Sequence, residues 1–168
     1  MTLTPVEIDR RVSEFMETCK REGVKVTYQR LVIFKEIASS EEHPDAETIY
    51  KRVRRKLPTI SFDTVYRATS TLERLGVISR LHIQSDRMRL DANTKPHHHF
   101  VCTNCGLVRD VYISGLENFK IPHELDTCDK VHSLYIELQG ICCDCTGSDL
   151  QLPDGGSKKL SLGSQLSN

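Results

Sequence analysis

The stretch Ser61-Phe-Asp-Thr-Val-Tyr-Arg-Ala-Thr-Ser-Thr-Leu-Glu-Arg-Leu-Gly76 reads as a single helix with both ends marked. Ser61 is a good N-cap, because its hydroxyl can accept one of the free amides of the first turn, and Gly76 supplies the stop. Val65, Ala68, Leu72 and Leu75 recur at helical spacing on one apolar face, which leaves Thr64, Tyr66, Arg67 and Ser70 for solvent or a partner. Immediately after it, Val77–Ile83 and Arg87–Leu90 alternate as two short strands around Gln84-Ser85-Asp86, a hairpin.

Upstream lie three more helices. The first follows Thr4, with Pro5 at its first position and Glu7 completing a capping box; Val6, Val12, Phe15, Met16 and Cys19 form its apolar stripe, and Gly23 ends it. The second follows Thr27, with Leu31, Phe34, Ile37 and Ala38 inward. The third starts at Asp45, with Ala46, Ile49, Val53 and Leu57 inward, the basic run Lys51–Lys56 outside and Pro58 as its stop. Helices closed by a β-hairpin are the pattern of a winged helix-turn-helix, in which the helix before the hairpin enters the DNA major groove. On that reading Tyr66 and Arg67 offer a thymine-methyl contact and a guanine or phosphate contact. The competing reading is a small helical domain whose basic run is only a solvated face.

Composition neither forbids nor demands DNA. The 168 residues carry 23 Lys+Arg against 23 Asp+Glu, a net charge of zero, with seven cysteines and seven histidines. Cut near Asp91, the balance separates into +3 for residues 1–91 and −3 for residues 92–168, and the second part holds six of the cysteines and five of the histidines. The expected organisation is α+β: a winged-helix DNA-binding domain over 1–91, a metal-binding dimerisation domain over 92–147, and a Gly/Ser/Leu-rich tail, disordered, over 148–168. No stretch is long and apolar enough to span a bilayer, and residues 1–22 lack the apolar core of a signal peptide, so a cytoplasmic protein without a membrane partner is expected.

Cys102-Thr-Asn-Cys105 and Cys142-Cys-Asp-Cys145 are two C-x-x-C knuckles, and four thiolates so placed can close a tetrahedral shell around a structural zinc ion. Cys143 is an extra thiol within the second knuckle; Cys19 and Cys128 have no spacing partner and read as core or surface thiols. Just upstream, if Phe100 and Val101 lead a strand into the first knuckle, His97 and His99 share one face and His98 takes the other. With Asp91 before them and Asp110 on the next strand, two imidazoles and two carboxylates make a mixed N/O site suited to Fe(II), Mn(II) or Zn(II). The bland alternative is a polar histidine loop.

Taken together, Gly23-Val-Lys-Val-Thr-Tyr-Gln-Arg30, His43-Pro44, Ser61-Phe-Asp-Thr-Val-Tyr-Arg67, the His97–His99 cluster and both knuckles resemble the ferric uptake regulator family of bacterial metal-dependent repressors, over about residues 10–147. The resemblance implies a homodimer that grips a palindromic double-stranded DNA operator. It adds His43, which the residue pattern does not single out, to the regulatory site, which becomes His43, Asp91, His97, His99 and Asp110. The three-His, two-Asp set is similar to the peroxide-stress branch, in which bound Fe(II) reacts with hydrogen peroxide and a ligand histidine, here matching His43 or His97, is oxidised. Arg67 looks more like the iron-uptake branch, so an iron- or zinc-uptake regulator is the alternative. The ligand set carries more weight, because it decides what is sensed. Tyr28 stands where the family motif usually has Pro, Pro122 falls where the family has a dimer-domain helix, and Leu134 stands where a further His is usual, with His132 two residues earlier. His98, Glu117 and His132 are candidates for a third metal site.

Two other function classes compete. A zinc hydrolase or deaminase conflicts with the closed four-thiolate shell and with the lack of a His-x-Glu beside the knuckles, so no enzyme and no small-molecule substrate are expected. A DNA-independent zinc module conflicts with the polar face of the fourth helix and with Lys25, Arg30 and Arg67. The expected DNA-binding set is Lys25, Arg30, Thr64, Tyr66 and Arg67.

Overall fold

A computed structural model describes residues 3–81, 88–116 and 134–147. Four helices come first: α1 (Pro5–Arg21), α2 (Tyr28–Ala38), α3 (Ala46–Lys56) and α4 (Phe62–Arg74). Each begins where the sequence places a capping side chain. Thr4, Thr27, Asp45 and Ser61 all have extended backbone and accept the amide three residues on, from Glu7, Arg30, Thr48 and Thr64. Each cap satisfies an amide that the helix itself cannot, a contribution of about 1 kcal/mol. The fourth helix ends one residue earlier than its apolar period suggests, because Leu75 serves as its C-cap before Gly76, at φ 68°, turns the chain.

The helices pack around Phe15, Ile33, Phe34, Ile37, Ile49, Val53, Val65 and Leu72, all buried, with the rings of Phe15 and Phe34 stacked 4.5 Å apart. On α1 the buried stripe is Arg11, Phe15 and Cys19; Val6 and Met16, expected inward, are exposed. Arg11 takes a place in that stripe because its Nη1 donates to the Ala38 carbonyl at the end of α2, a group that helix geometry leaves without an internal donor. Ala46, Leu57 and Leu75 are only partly buried, at the rim of the core.

After Gly76, β1 (Ser79–Leu81) pairs antiparallel with β2 (Arg89–Asp91), in the register Ser79↔Asp91. Within the described residues β1 starts two residues later than the sequence reading and β2 runs one residue further, to Asp91; residues 82–87, with the expected turn Gln84-Ser85-Asp86, lie outside the described residues. The Leu90 amide donates to the Pro44 carbonyl and Asp45 bridges to Arg89, so the loop before α3 is tied to the strand that carries Asp91.

A second, three-stranded sheet has the order β4-β3-β5, from β3 (His98–Cys102), β4 (Val108–Val111) and β5 (Glu137–Gly140). Central β3 is antiparallel to β4 and parallel to β5, with His99 opposite Asp110 on one side and Glu137 on the other. Residues 134–136 lead into β5 without regular structure, and residues 131–133 lie outside the described residues. A short helix, α5 (Cys143–Thr146), follows. Pro122, Cys128 and the tail 148–168 also lie outside the described residues, and so do the expectations attached to them. Among the described residues, no helix is long and apolar enough to cross a membrane.

Leu72 is fully buried at the centre of the helical core. Leu72→Ala should cost about 2–5 kcal/mol, the combined loss of transfer energy and packing around the cavity. Urea unfolding of the two proteins measures it, and a loss below 1 kcal/mol would mean the core collapses around the gap.

Candidate metal centres

The geometry of the upper centre begins with a strained residue. His43 has φ 48°, a left-handed conformation uncommon for a side chain with a Cβ, and it is buried ahead of Pro44. The Pro44–Leu90 hydrogen bond sets this loop beside the end of β2, which brings His43 to Asp91: Nε2 lies 3.7 Å from Asp91 Oδ1 and 2.8 Å from Asp110 Oδ1 on β4. From the other side, His97 just before β3 and His99 within it point the same way, with their Nε2 atoms 2.9 Å apart, while His98 points to the opposite face, as the strand period requires. His97 Nε2 is 2.9 Å from Asp91 Oδ2, and Asp110 Oδ1 lies 3.6 and 3.9 Å from the Nε2 atoms of His97 and His99. One donor atom each from His43, Asp91, His97 and His99, all buried, falls within 4.8 Å of the others; Asp110, about three-quarters buried, closes the group from β4.

Hydrogen positions decide what this cluster needs. His97 Nδ1 lies 2.7 Å from the Lys95 carbonyl, which can only accept, so that nitrogen carries the proton and Nε2 of the neutral ring presents a lone pair. That lone pair faces His99 Nε2 and a carboxylate oxygen at 2.9 Å each. His43 Nδ1, Asp91 Oδ2 and Asp110 Oδ1 are buried without a hydrogen-bond partner. Buried polar atoms left unpaired are costly, and here the two aspartate oxygens are aimed at imidazole Nε2 atoms, Asp110 Oδ1 at His43 and Asp91 Oδ2 at His97. A proton or a cation must lie among them, and the mixed N/O set fits a divalent ion of intermediate hardness. Burial alone would push Asp91 up, but the His97 and His99 imidazoles beside it, together with His43, hold its carboxyl well below the usual carboxylate range. Burial also opposes protonation of His97, yet Asp91 and the Lys95 carbonyl raise it. Asp110 is lowered against its own burial by His43 and Asn93.

The lower centre lies at the far end of β3. Gly106, at φ 71°, closes the first knuckle, with its amide on the Cys102 carbonyl at 2.9 Å, and the amides of Cys145 and Thr146 return to the Cys142 carbonyl at 3.0 Å. The pairing Cys102↔Gly140 brings the two turns together. The four sulfurs of Cys102, Cys105, Cys142 and Cys145 fall within 4.8 Å, and Cys105 Sγ to Cys142 Sγ is 3.7 Å. A zinc–sulfur bond of about 2.3 Å makes the edge of a tetrahedron about 3.8 Å, so this spacing suits the ion. The amides of Cys105 and Cys142 hold the Cys102 thiol down at about 6, toward the thiolate a metal requires. Cys143 stays outside the cluster, exposed at the start of α5.

With both clusters in place, likeness to known proteins can be judged against geometry. The model of the ferric uptake regulator family matches residues 21–137, more than two-thirds of the chain. The chain belongs to the ferric uptake regulator family. Similar members include the peroxide operon regulator of Bacillus subtilis, 33% identical over 135 residues that span 80% of this chain and 93% of the relative. A peroxide-responsive repressor of Staphylococcus epidermidis is 30% identical over 139 residues, 82% of this chain and 92% of the other. Among solved structures, the Helicobacter pylori ferric uptake regulator has the same fold, with a TM-score of 0.68 at 23% identity over 89% of this chain and 98% of that one. The Campylobacter jejuni peroxide stress regulator superposes with a TM-score of 0.61 at 26% identity, covering 76% and 96%.

In this member of the family, the other sequence candidates divide by accessibility. Tyr66 and Arg67 project from α4, Arg67 paired with Asp63 at 2.8 Å and Tyr66 under the Arg80 guanidinium at 5.9 Å. Thr64 is half-buried, its hydroxyl spent on Ser61. Arg30 donates to the carbonyl of exposed Lys25, which sets the two cations side by side before and within the first turn of α2. Of the third-site candidates only His98 is described, and its Nδ1 accepts the Ile136 amide at 3.2 Å; Glu117 and His132 lie outside the described residues. Two residues of the upper centre escaped sequence reasoning, Asn93, which donates to Asp110 across 17 positions, and Tyr112, whose hydroxyl accepts from Asn93 across 19. No local pattern signals that proximity.

The metal-free protein should be most stable in a mildly acidic window. Asp91, depressed on folding, contributes stability above its unfolded value of about 3.9, lost as pH falls through the folded value. His97, raised on folding, contributes below its unfolded value of about 6.5, lost as pH rises through the folded one. Thermal melting of the chelated protein against pH tests this: His97→Gln should flatten the alkaline limb and Asp91→Asn the acid limb, and unchanged limbs would refute the assignment.

Proposed function

We propose that this chain is a metal-dependent DNA-binding transcriptional repressor that senses peroxide through Fe(II), with Mn(II) able to fill the same centre without reacting. The observation that carries the reading is the donor set of three imidazoles and two aspartates, drawn from both parts of the fold. His43 and Asp91 come from the helical head, and His97, His99 and Asp110 from the three-stranded sheet. The peroxide-responsive relatives support it.

On this proposal residues 1–91 form the DNA-reading domain and 92–147 the dimerisation domain of a homodimer, with zinc in the four-cysteine shell as a closed, structural ion. A cation held by ligands from both halves fixes the angle between them. The two α4 helices of the dimer then present Tyr66 and Arg67, with Lys25 and Arg30 from the start of α2, to successive major grooves of a palindromic operator. Head and body must be ordered before DNA can be gripped, so metal and operator strengthen each other's binding by the same factor.

Fe(II) held by these five residues would activate hydrogen peroxide as a two-electron oxidant, and the two electrons that cleave its O–O bond come overall from the oxidised ring. On the chain, an imidazole C–H of His43 or His97 is replaced by C–O, with water as the second product. An oxidised ring loses its donor geometry, the angle is released, and repression ends. The exposed Arg67 favours an iron- or zinc-uptake regulator as the second reading, in which metal level alone is sensed.

Mass spectrometry of the iron-loaded protein after peroxide separates the two. One added oxygen on the peptide with His43 or His97, with loss of operator binding in the iron form and none in the manganese form, supports peroxide sensing. Unmodified histidines with binding governed by metal level alone would replace it with the uptake reading. Cys102→Ser should lose zinc and, with it, dimerisation; a zinc-free variant that still dimerises and melts like the parent removes the structural role.

A further inference from the structure

Asn93 lies two residues beyond Asp91 and is buried, and no sequence pattern gives it a role. Its polar groups are nonetheless committed around the upper centre. The backbone amide donates to Asp91 Oδ1 at 2.7 Å. The side-chain Nδ2 donates to Asp110 Oδ2 at 2.7 Å and to the Tyr112 hydroxyl at 2.8 Å, which uses both of its protons. Oδ1 accepts the Lys95 amide at 3.3 Å, closing a turn toward the Lys95 carbonyl that orients His97. The amide orientation is forced: an ionised carboxylate only accepts, so the nitrogen must face Asp110.

The consequence is a division of labour between the two oxygens of each aspartate. Asp91 Oδ1 and Asp110 Oδ2 are held by Asn93, whereas Asp91 Oδ2 and Asp110 Oδ1 are the oxygens left buried without hydrogen bonds. We propose that Asn93 is the positioning residue of the regulatory centre, its side chain fixing Asp110 and its backbone fixing Asp91 so that each offers the metal a single oxygen. Three imidazole nitrogens and two carboxylate oxygens then make five protein donors, and a six-coordinate ion keeps one place for water or an oxidant. Asn93 has this role only if the centre holds a divalent cation as proposed above. Partners of this kind orient ligands and typically alter metal affinity about 10–100-fold when removed.

The test is a double-mutant cycle on Mn(II) affinity, measured on the zinc-replete full chain from the paramagnetic resonance of free Mn(II). Asn93→Ser is the informative variant: its hydroxyl can keep the turn bond to the Lys95 amide but falls short of Asp110. It should weaken Mn(II) binding about tenfold or more in the parent and less than about twofold when Asp110 is already Ala, because the lost contact acts through that carboxylate. Asn93→Ala should behave the same way. Tyr112→Phe, which spares the Asn93–Asp110 bond, should stay within about threefold. Zinc content should not move, and the affinity loss should persist well below the metal-free melting temperature, where the lost hydrogen bonds of a buried Asn lower stability without unfolding the centre. Equal losses in the parent and Asp110→Ala backgrounds, or no loss in the parent, overturn the positioning role. If His99→Ala leaves Mn(II) binding intact, the regulatory reading of the centre itself fails, a result distinguishable from the first.

Discussion

Three imidazoles and two carboxylates crowd into one buried cluster with too little positive charge between them, and the rest of the molecule is arranged around that conflict. Nε2 of His97 lies 2.9 Å from both Nε2 of His99 and an oxygen of Asp91, and the proton of the neutral His97 ring is drawn off by the Lys95 carbonyl. Such a cluster cannot be relieved by water from one side, since its members are buried. It is relieved by positive charge. The raised protonation of His97 shows what the metal-free protein does instead, so protons and metal compete for one position, and affinity for the ion must fall as pH drops.

The conflict is placed where it can do work, because its members belong to different parts of the fold. The Asp45–Arg89 bridge and the Pro44–Leu90 bond make His43 and Asp91 one unit with the helical core. The β3–β4 pairing makes His99 and Asp110 one unit with the sheet. Among the described residues, polar contacts between the two outside the cluster include Lys95 to Glu7 at 3.4 Å and Arg89 to the Gly106 carbonyl at 3.4 Å. An exposed pair such as Lys95–Glu7 contributes little, whereas a cation shared by the cluster would tie the two together through five side chains. The sheet is held in another way. Among the described residues its buried apolar groups are Val101, Cys102, Val108 and Cys142, and ligation by the four thiolates would tie the turn after β3 to the turn after β5 beside them.

How far the sequence could be read follows from the range of the forces involved. The four N-caps and the apolar face of α4 depend on residues within a turn or two, and all were legible. So were the two knuckles, whose spacing is dictated by tetrahedral thiolate geometry. The α1 stripe was misread at Val6 and Met16 because hydrophobicity alone cannot anticipate that Arg11 would enter the buried face to cap α2. His43 needed a family resemblance, since its place in the cluster depends on a left-handed backbone and on carboxylates 48 and 67 positions further along the chain. Asn93 was invisible: an Asn in a turn is ordinary, and only the sheet register brings Asp110 to it.

The two centres also obey one electrostatic rule. Two aspartates and a divalent ion sum to zero, so the upper centre can be sealed, and His43, Asp91, His97 and His99 are all buried. Four thiolates with the same ion retain two negative charges, which need solvent, and there Cys105 is exposed and Cys145 half-exposed. On the proposed reading burial would make the upper centre responsive: without an ion its carboxylates lie unpaired in a low dielectric, a cost that separating head from body would relieve. The lower centre, wetter and clamped by the backbone of both knuckles, draws its four thiols from the sheet and its turns, so loss of an ion there would unravel the sheet rather than open a hinge.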